Sequence, residues 1–354
     1  MNKSPDLLEQ RLHNQRLSST EFEQPADVVR WMGAVQAQEF HAGKWALALR
    51  MREATSANIQ EAYDRGQILR THVMRPTWHF VTPEDIRWLL ELTAARVNLR
   101  CGPNYRKYEV DDALFKKARR VLVKVLQGGR HVTRAELKAA LNRAGIDASD
   151  TVRMAHVMLR AELDGLVCSG AMDGKQFTYA LLDERVPASQ TLSRDEALAE
   201  LTKRYFSSHG PATMQDFVWW SGLTTTDARR GIELAGDQLT TLKLPEAVHW
   251  IGSLTPNRDT NHDQRPAIVR ANLLPAFDEY NVAYKKRELP TLGPTVVVNG
   301  RTIGTWTATA DHASVLIRVT SSQELNESQK RLLKKAAESY GSYIGSPARV
   351  AYGL

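Results

Sequence analysis

The spacing of apolar residues along this chain changes at about His249. Before that residue, apolar side chains recur mostly every three or four positions, as between Pro25 and Val35, which predicts a series of amphipathic helices. After it, the period approaches two, which predicts strands. Helices interrupted by short alternating stretches and followed by a strand-rich end predict an α+β fold.

The first hundred residues combine helical patterns with one two-stranded ribbon. Val28, Val29 and Met32 form the apolar stripe of a helix with Pro25 in its first turn. Alternation over residues 68–72 and 78–80 predicts two strands on either side of the Arg75-Pro76 break. Helices followed by a ribbon are in the order of a winged helix, which we predict for residues 1–100.

Two later stretches repeat this order. In residues 101–190, a Gly102-Pro103 linker precedes a helix over 112–126, the capping-box pattern of Thr133 and Glu136, a helix over 152–163 and a hairpin turning at Asp173-Gly174. Residues 191–248 show the same order with weaker signals, and Trp219 and Trp220 are both expected in their core. The repetition predicts tandem winged-helix units.

The last hundred residues, 249–354, are predicted to form a β-rich domain. Strands are expected over 267–269, 295–298, 302–306 and 314–319, and Asn299-Gly300 is a type I′ hairpin signal between two of them. Several short strands joined by turns predict a small β-barrel-like or curled sheet. Ser322 is expected to cap a final helix over 325–340.

Composition narrows the class of partner. Lys and Arg number 47 against 40 Asp and Glu, for a net charge of +7, which fits a phosphate-bearing partner such as double-stranded DNA. The two cysteines, Cys101 and Cys168, are far apart and lack metal-type spacing, so no metal site and no cofactor are expected. Without a membrane-length apolar run, we expect a cytoplasmic protein with no membrane partner, and a monomer.

Gln36 and Gln38, separated by Ala37, are the candidate catalytic residues. Residues two apart point in nearly opposite directions on a helix but to one side of an extended segment. Both amides can therefore reach one site only if the preceding helix ends near Gln36, which Gly33 allows. Two solvated glutamines at a frayed helix end are the alternative that these residues leave open.

Three stretches of the chain form a recognisable combination: the glutamine pair, residues 70–88 with their Arg-Pro-Thr-Trp-His run, and the segments 273–280, 284–287 and 294–306 near the C-terminus. Together they resemble the AlkZ/YcaQ-like family of bacterial DNA glycosylases, whose C-terminal signature the last segments match. The resemblance implies a tandem winged-helix protein whose Gln-hydrophobic-Gln motif is Gln36, Ala37 and Gln38. It also implies a minor-groove hairpin near residues 287–294, which is short here.

The side-chain chemistry of glutamine limits the substrate. An amide accepts from water through its carbonyl and donates through its NH₂, so it can position a water but does not take up a proton as a carboxylate does. That is sufficient only when the base departs easily. Guanine alkylated at N7 is already cationic and leaves as a neutral base, so we predict hydrolysis of its N-glycosidic bond, including in bulky adducts or interstrand crosslinks, and no action on uracil.

Further candidates surround this core hypothesis. His72, Arg75, His79 and Asp278 are predicted neighbours of the active site, although structural histidines are the more common case. Asp278 and Glu279 are the best carboxylates if the glutamines prove inert, with capping or pairing to Lys285 or Arg287 as their structural alternative. The DNA-binding candidates are basic residues whose alternative is a solvated face: Arg153, Arg160, Arg229, Arg230, Lys285, Lys286 and Arg287.

The same winged helices and charge also fit a second class of function, a non-enzymatic transcription regulator. A regulator would discriminate between DNA sequences by several orders of magnitude without both glutamines, whereas a glycosylase would release a damaged base only with them. A binder of structured RNA is a third, weaker alternative.

Overall fold

The structure is a computed structural model and describes residues 7–188, 191–244, 247–253, 270–286, 291–310 and 313–353. Its helices are α1 (Leu7–Asn14), α2 (Pro25–Met32), α3 (Phe40–Ala48), α4 (Ser56–Asp64), α5 (Ile86–Lys107), α6 (Asp112–Leu126), α7 (Arg134–Arg143), α8 (Thr151–Leu163), α9 (Leu182–Arg185), α10 (Arg194–His209), α11 (Met214–Ser221), α12 (Thr225–Ala235), α13 (Glu279–Val282) and α14 (Glu327–Ile344). A 3₁₀ turn spans Gly236–Gln238.

The strands lie among these helices and concentrate toward the C-terminus. They are β1 (Val35–Gln36), β2 (Leu69–Val73), β3 (Arg75–Val81), β4 (Val132–Thr133), β5 (Val167–Ser169), β6 (Thr178–Leu181), β7 (Leu239–Lys243), β8 (Val248–Gly252), β9 (Ala271–Leu274), β10 (Thr295–Val298), β11 (Arg301–Ala310), β12 (Val315–Ser321) and β13 (Ala348–Gly353). The predicted mixture of α and β structure is confirmed. None of the helices described is both long and apolar enough to traverse a membrane.

The chain divides into two compact units. Unit 1 comprises Met1–Gln60, Leu198–Trp220 and Thr224–Leu354, and unit 2 comprises Glu61–Ala197 and Ser221–Leu223. The predicted division of the chain into four domains, with boundaries at residues 100, 190 and 248, stays a prediction.

Unit 2 is built around an apolar cluster from α6, α7, α8 and the strands between them. Buried residues such as Leu122, Leu137 and Val157 meet in it, and β4, β6 and β5 form an antiparallel sheet in that order. The capping box of α7 forms as predicted: Thr133 Oγ1 accepts from the backbone of Glu136, whose carboxylate accepts from Thr133 N–H. This is the predicted order of helices and strands for residues 112–181.

The predicted linker at Gly102-Pro103 is wrong, because α5 runs through it to Lys107. Val97 and Cys101, four residues apart, are buried against Leu159 and Leu163, and Tyr105 continues the same stripe. The apolar contact therefore extends across the proline, and its packing outweighs the one backbone hydrogen bond that proline cannot donate. The two predicted strands are confirmed as β2 and β3, which pair antiparallel from Leu69 opposite Val81. The predicted break at Arg75-Pro76 is wrong, because both residues belong to β3 and the chain turns at Met74, where φ is 62°.

Unit 1 contains a sheet whose order among the described residues is β13-β12-β11-β10-β9. The hairpin between β10 and β11 is confirmed, because Asn299 and Gly300 both have positive φ, 50° and 83°, as a type I′ turn requires. The sheet is open, with β13 and β9 at its edges, so a closed barrel, one of the two predicted forms, is wrong for the residues described. Helix α14 packs against β9 and β13, and it covers the apolar face that closure would otherwise have to bury.

Two details of the C-terminal prediction change. The predicted strand over 267–269 lies outside the described residues. The final helix is capped by Asn326 and not by Ser322: the Asn326 side chain accepts from Gln329 N–H, and the Gln329 side chain accepts from Asn326 N–H. Asn is as good an N-cap as Ser, and the reciprocal pair satisfies two backbone donors at once.

The remaining helices of unit 1 bring aromatic side chains together. Tyr205 and Phe206 of α10 contact Phe217 and Trp220 of α11. Trp220 is fully buried, which confirms its predicted place in the core. The same prediction is wrong for Trp219, which is 41% exposed and whose indole instead donates to the backbone carbonyl of Val282.

Candidate active site

The two glutamines lie in the non-helical link between α2 and α3. Helix α2 ends at Met32, and Gly33 follows with a φ of 80°, a conformation that other residues adopt only with strain. The chain is extended at Val35–Gln36, and α3 begins at Phe40. The condition that the helix should end before Gln36 is therefore met.

The two side chains differ in exposure. Gln36 is only 6% exposed, whereas Gln38 is partly exposed. Ala37 between them is fully buried and fixes the centre of the link in the core of unit 1. Of the two amides, that of Gln38 is thus the one closer to solvent.

Glu279 anchors this link to the rest of unit 1. Its Oε1 accepts a hydrogen bond from the backbone N–H of Gln36 at 2.7 Å. Its Oε2 accepts from Trp220 Nε1 at 2.9 Å and lies 3.5 Å from Nε2 of His209. Glu279, Trp220 and His209 are all 0% exposed, so this carboxylate is held by the N–H groups of Gln36 and Trp220.

The neighbouring carboxylate, Asp278, is bound to a different partner. Both of its oxygens accept from the guanidinium of Arg50, at 2.9 and 3.0 Å, and Oδ1 also accepts from Tyr280 N–H as the N-cap of α13. Asp278 is 1% exposed. Its predicted structural alternative, capping, is observed, but its ion-pair partner is Arg50 and not Lys285.

Burial sets the protonation of the groups behind the link. Desolvation lowers the pKa of His209, so its imidazole is neutral at physiological pH, although Glu279 opposes this effect. The ring of Tyr205 stacks on His209 with centroids 4.9 Å apart, and burial raises its pKa well above 10. Burial likewise raises the pKa of Tyr284 to about 12, and its hydroxyl donates to the His209 carbonyl.

The other predicted neighbours, His72, Arg75 and His79, belong to unit 2. His72 is 7% exposed, and its Nδ1 lies 2.6 Å from the buried carboxylate of Glu162. His79 is 0% exposed, with Nδ1 2.9 Å from the Thr77 carbonyl and Nε2 3.5 Å from the Arg75 guanidinium. Both histidines have the satisfied environment of structural residues, and their part in the active site stays a prediction.

The predicted DNA-binding residues fall into two groups. Arg160 of α8 donates to Asp112 and lies over the Phe115 ring, while Arg153 lies 3.8 and 3.9 Å from the carboxylates of Glu109 and Asp147. The second group is exposed and belongs to unit 1: Arg229, Arg230, Lys285 and Lys286. Arg287 lies outside the described residues. Contact with DNA stays a prediction for all of them.

Sequence reasoning missed the partners of these carboxylates. Arg50 had a detectable signal, because it lies between apolar residues in the run from Trp45 to Met51, where a charge needs a buried partner. His209 carried no such signal, since nothing in its local sequence indicates Glu279 seventy residues away. In the part of the chain that the structure describes, no three His, Cys, Asp or Glu residues are grouped as metal ligands.

Comparison with known proteins adds independent findings. Residues 29–343 match the family model described as DNA glycosylase AlkZ-like. A protein of Streptomyces sahachiroi described as an interstrand DNA cross-link repair glycosylase is 24% identical over 325 residues, covering 84% of this chain and 85% of that protein. The solved structure of Streptomyces sahachiroi DNA glycosylase AlkZ has a TM-score of 0.80 and 20% identity, covering 99% of this chain and 100% of that one. At this identity the structural likeness shows the fold alone.

Proposed function

Because this chain belongs to the AlkZ-like family of DNA glycosylases, enzymes that hydrolyse N-glycosyl bonds, we propose that it releases N7-alkylated guanine from double-stranded DNA. Gln36 and Gln38 position the attacking water in this proposal. The observation that carries it is the glutamine link itself: a non-helical Gln-Ala-Gln segment that follows a helix ending at Met32, is extended at Val35–Gln36, and has the backbone of Gln36 held by a buried carboxylate.

The chemistry of the link supports a positioning role. The amide oxygen of a glutamine accepts from a water, and its NH₂ donates to the sugar or base, so the pair orients a nucleophile against the anomeric carbon. Neither amide stabilises the developing positive charge as strongly as a carboxylate would. The substrate must therefore carry its own activation.

A cationic base supplies that activation. N7-alkylation places a positive charge on guanine, and the departing base takes up the electrons of the broken bond and leaves neutral, without a general acid. The attacking water bonds to the anomeric carbon and releases one proton to solvent. The described relative is named for the repair of interstrand crosslinks. We extend the repair of interstrand crosslinks to the present chain, and we add bulky N7 adducts from the leaving-group argument above.

The order of elements supports a repeated winged-helix scaffold for DNA binding. The sequence helix, short strand, two helices and two strands occurs as α6, β4, α7, α8, β5, β6, and the series α10, α11, α12, β7, β8 follows a similar order. We propose that these are tandem winged helices. The exposed arginines 229 and 230 on α12 and the overall charge of +7 suit contact with phosphates.

The test is release of base from duplex DNA that carries a single N7-methylguanine, compared between the wild type and the Gln36→Ala, Gln38→Ala double variant. We expect the double variant to lose base release by about 100-fold or more, since positioning effects of this size are common in enzymes. Gln127→Ala, at an exposed glutamine of unit 2, is the matched control and should leave the rate unchanged.

Two outcomes would contradict the proposal. Equal base release by the wild type and the double variant would remove the glutamines from the reaction. Release of uracil, at a similar rate, from a matched duplex that carries uracil in place of N7-methylguanine would contradict the requirement for a cationic leaving group.

A further inference from the structure

Glu279 is a buried carboxylate in direct contact with the proposed catalytic link, and the proposed reaction gives it no role. It is 0% exposed, and its Oε1 lies 2.7 Å from the backbone nitrogen of Gln36. A carboxylate removed from water is costly unless donors surround it. The donor at Oε1 is the main chain of the catalytic segment itself.

We propose that Glu279 is a positioning residue for Gln36: it fixes the main chain of the glutamine link, and so places the amide that orients the water. This inference rests on the proposed function. Glu279 does not touch the substrate in this proposal, because its side chain is buried behind the link. Its effect on the reaction passes through the position of Gln36.

The other oxygen of Glu279 ties the link to α11. Oε2 accepts from Trp220 Nε1–H at 2.9 Å, and Nε2 of His209 lies 3.5 Å away. One carboxylate thus joins three segments that are far apart in the chain. A displacement of any one of them would be transmitted to Gln36 through a pair of short hydrogen bonds.

The hydrogen bonds around His209 indicate where its proton lies. Ser208 Oγ donates to the Arg204 carbonyl at 2.6 Å, so it is left to accept from His209 Nδ1–H at 2.8 Å. Burial lowers the pKa of His209, so the ring carries this one proton and Nε2 bears a lone pair. Toward Glu279, His209 therefore presents an acceptor, and Trp220 presents a donor.

This pattern explains why a carboxylate, and not an amide, occupies position 279. Two N–H groups, those of Gln36 and Trp220, point at this side chain. A glutamine at position 279 could accept from only one of them, and its NH₂ donor would face the N–H donor of the other. Replacing Trp220 by Phe removes the second donor. In that background the amide introduced by Glu279→Gln can accept from Gln36 N–H with its oxygen and donate to His209 Nε2 with its NH₂.

The experiment measures single-turnover release of N7-methylguanine from duplex DNA, with the rate at saturating protein separated from the protein concentration at half-maximal rate. The variants are Glu279→Gln, Trp220→Phe, Trp220→Phe with Glu279→Gln, and Trp220→Phe with Glu279→Met. The two double variants are the matched pair, since Gln and Met have similar size and only Gln keeps the acceptor.

We expect Glu279→Gln to lower the rate at saturating protein by about 10- to 100-fold, because a small displacement of a catalytic group has an effect of this size. The protein concentration at half-maximal rate should change by less than about twofold, since substrate binding is not affected. The double variant with Gln should react within about threefold of Trp220→Phe, and the double variant with Met about tenfold or more below it. Amide hydrogen exchange of the peptide containing Gln36 should rise in the Met variant and stay near that of Trp220→Phe in the Gln variant.

The outcomes separate this inference from the function on which it rests. If the wild type releases no N7-methylguanine, the proposed function falls, and the role of Glu279 in it falls too. If the wild type releases base and the two double variants react equally fast, only the positioning role is overturned. Should Glu279→Gln fail to fold, the comparison of the two double variants still decides.

Discussion

Arg50 and Asp278 form a doubly hydrogen-bonded ion pair that is closed off from solvent inside unit 1. Nη1 and Nη2 of Arg50 lie 2.9 and 3.0 Å from the two oxygens of Asp278, and both side chains are 0% exposed. Nη2 also donates to the side-chain oxygen of Gln15, and Asp278 caps α13, on which Glu279 lies. The pair therefore fixes the beginning of the helix that anchors the glutamine link.

Breaking this pair should be more costly than replacing it. Arg50→Met leaves a buried carboxylate without its cation, and we expect a loss of about 3 to 5 kcal/mol in the free energy of unfolding. The double variant Arg50→Met, Asp278→Leu removes both charges and should be more stable than the single variant, although it also loses the cap of α13. Urea unfolding of wild type, both single variants and the double variant measures this. Additive losses would contradict a coupled pair.

Gly33 should be required for both stability and activity. Its φ of 80° is strained for alanine. The nearest atom to an added Cβ would belong to Trp220 at 3.6 Å, which is an ordinary van der Waals contact. The cost of Gly33→Ala therefore comes from the backbone conformation and not from a clash. We expect a loss of about 1 to 3 kcal/mol in stability and a slower release of N7-methylguanine, because relief of the strain shifts the link.

Gly128 provides the control for this substitution. Its φ is 82°, and no heavy atom lies within 4 Å of the position of an added Cβ. Gly128→Ala should therefore destabilise the protein by a similar amount and leave the rate of base release unchanged. If both variants lost activity equally, strain at Gly33 would have no specific connection with the glutamines.

Acid should destabilise the protein through the buried imidazole of His209. Desolvation is the largest cause that lowers the pKa of His209 below 6.5, while Glu279 raises it and Arg50 lowers it further. Between this lowered pKa and about 6.5, the unfolded chain binds a proton that the folded chain does not, so stability rises with pH in that window and falls as the pH drops through it. The pKa values of His41, His131 and His156 are also lowered mainly by burial and act in the same direction.

A comparison with His209→Asn isolates the contribution of this residue. The slope that one proton contributes is at most about 1.4 kcal/mol per pH unit. Urea unfolding at about pH 7.5 and about pH 5 should show a smaller loss of stability on acidification for the variant than for the wild type. If the wild type were as stable at the lower pH as at the higher one, His209 would not be a buried, neutral imidazole in the folded protein.

DNA affinity should depend on Arg229 and Arg230 more than on surface arginines elsewhere. Each phosphate contact that is lost lowers the dependence of log affinity on log salt concentration by about one unit. We therefore expect the Arg229→Ala, Arg230→Ala variant to bind undamaged duplex DNA more weakly and with a salt slope lower by about two. Fluorescence anisotropy over a range of salt concentrations measures both quantities.

Arg331→Ala is the matched control, because it removes an exposed arginine from α14, where no DNA contact is predicted. It should leave the salt slope within about half a unit of the wild type. An equal effect of Arg331 and of the two α12 arginines would indicate that only total charge matters.

Two predicted features, the break at Gly102-Pro103 and the closed barrel, are absent from the described residues for physical reasons. Gly102-Pro103 predicts a helix break because proline lacks an N–H. The apolar stripe of Val97, Cys101 and Tyr105 nevertheless keeps α5 helical, because its packing against α8 stabilises the helix more than the missing hydrogen bond weakens it. The C-terminal strands were predicted from their alternation, but whether their sheet closes depends on what covers its apolar face. That covering is α14, whose helical pattern says nothing about its place against β9 and β13.

The amino-acid sequence by itself determined the local features: the end of α2 at Gly33, the capping box at Thr133, the Asn299-Gly300 turn and the glutamine pair, together with the resemblance that led to the family. These follow from backbone preferences and short-range hydrogen bonds, which act over a few residues. The tertiary structure alone decided which donors face Glu279 and which cation neutralises Asp278. Those partners lie 228 and 243 positions away in the chain, and only the folded packing of unit 1 brings such distant residues within hydrogen-bond distance.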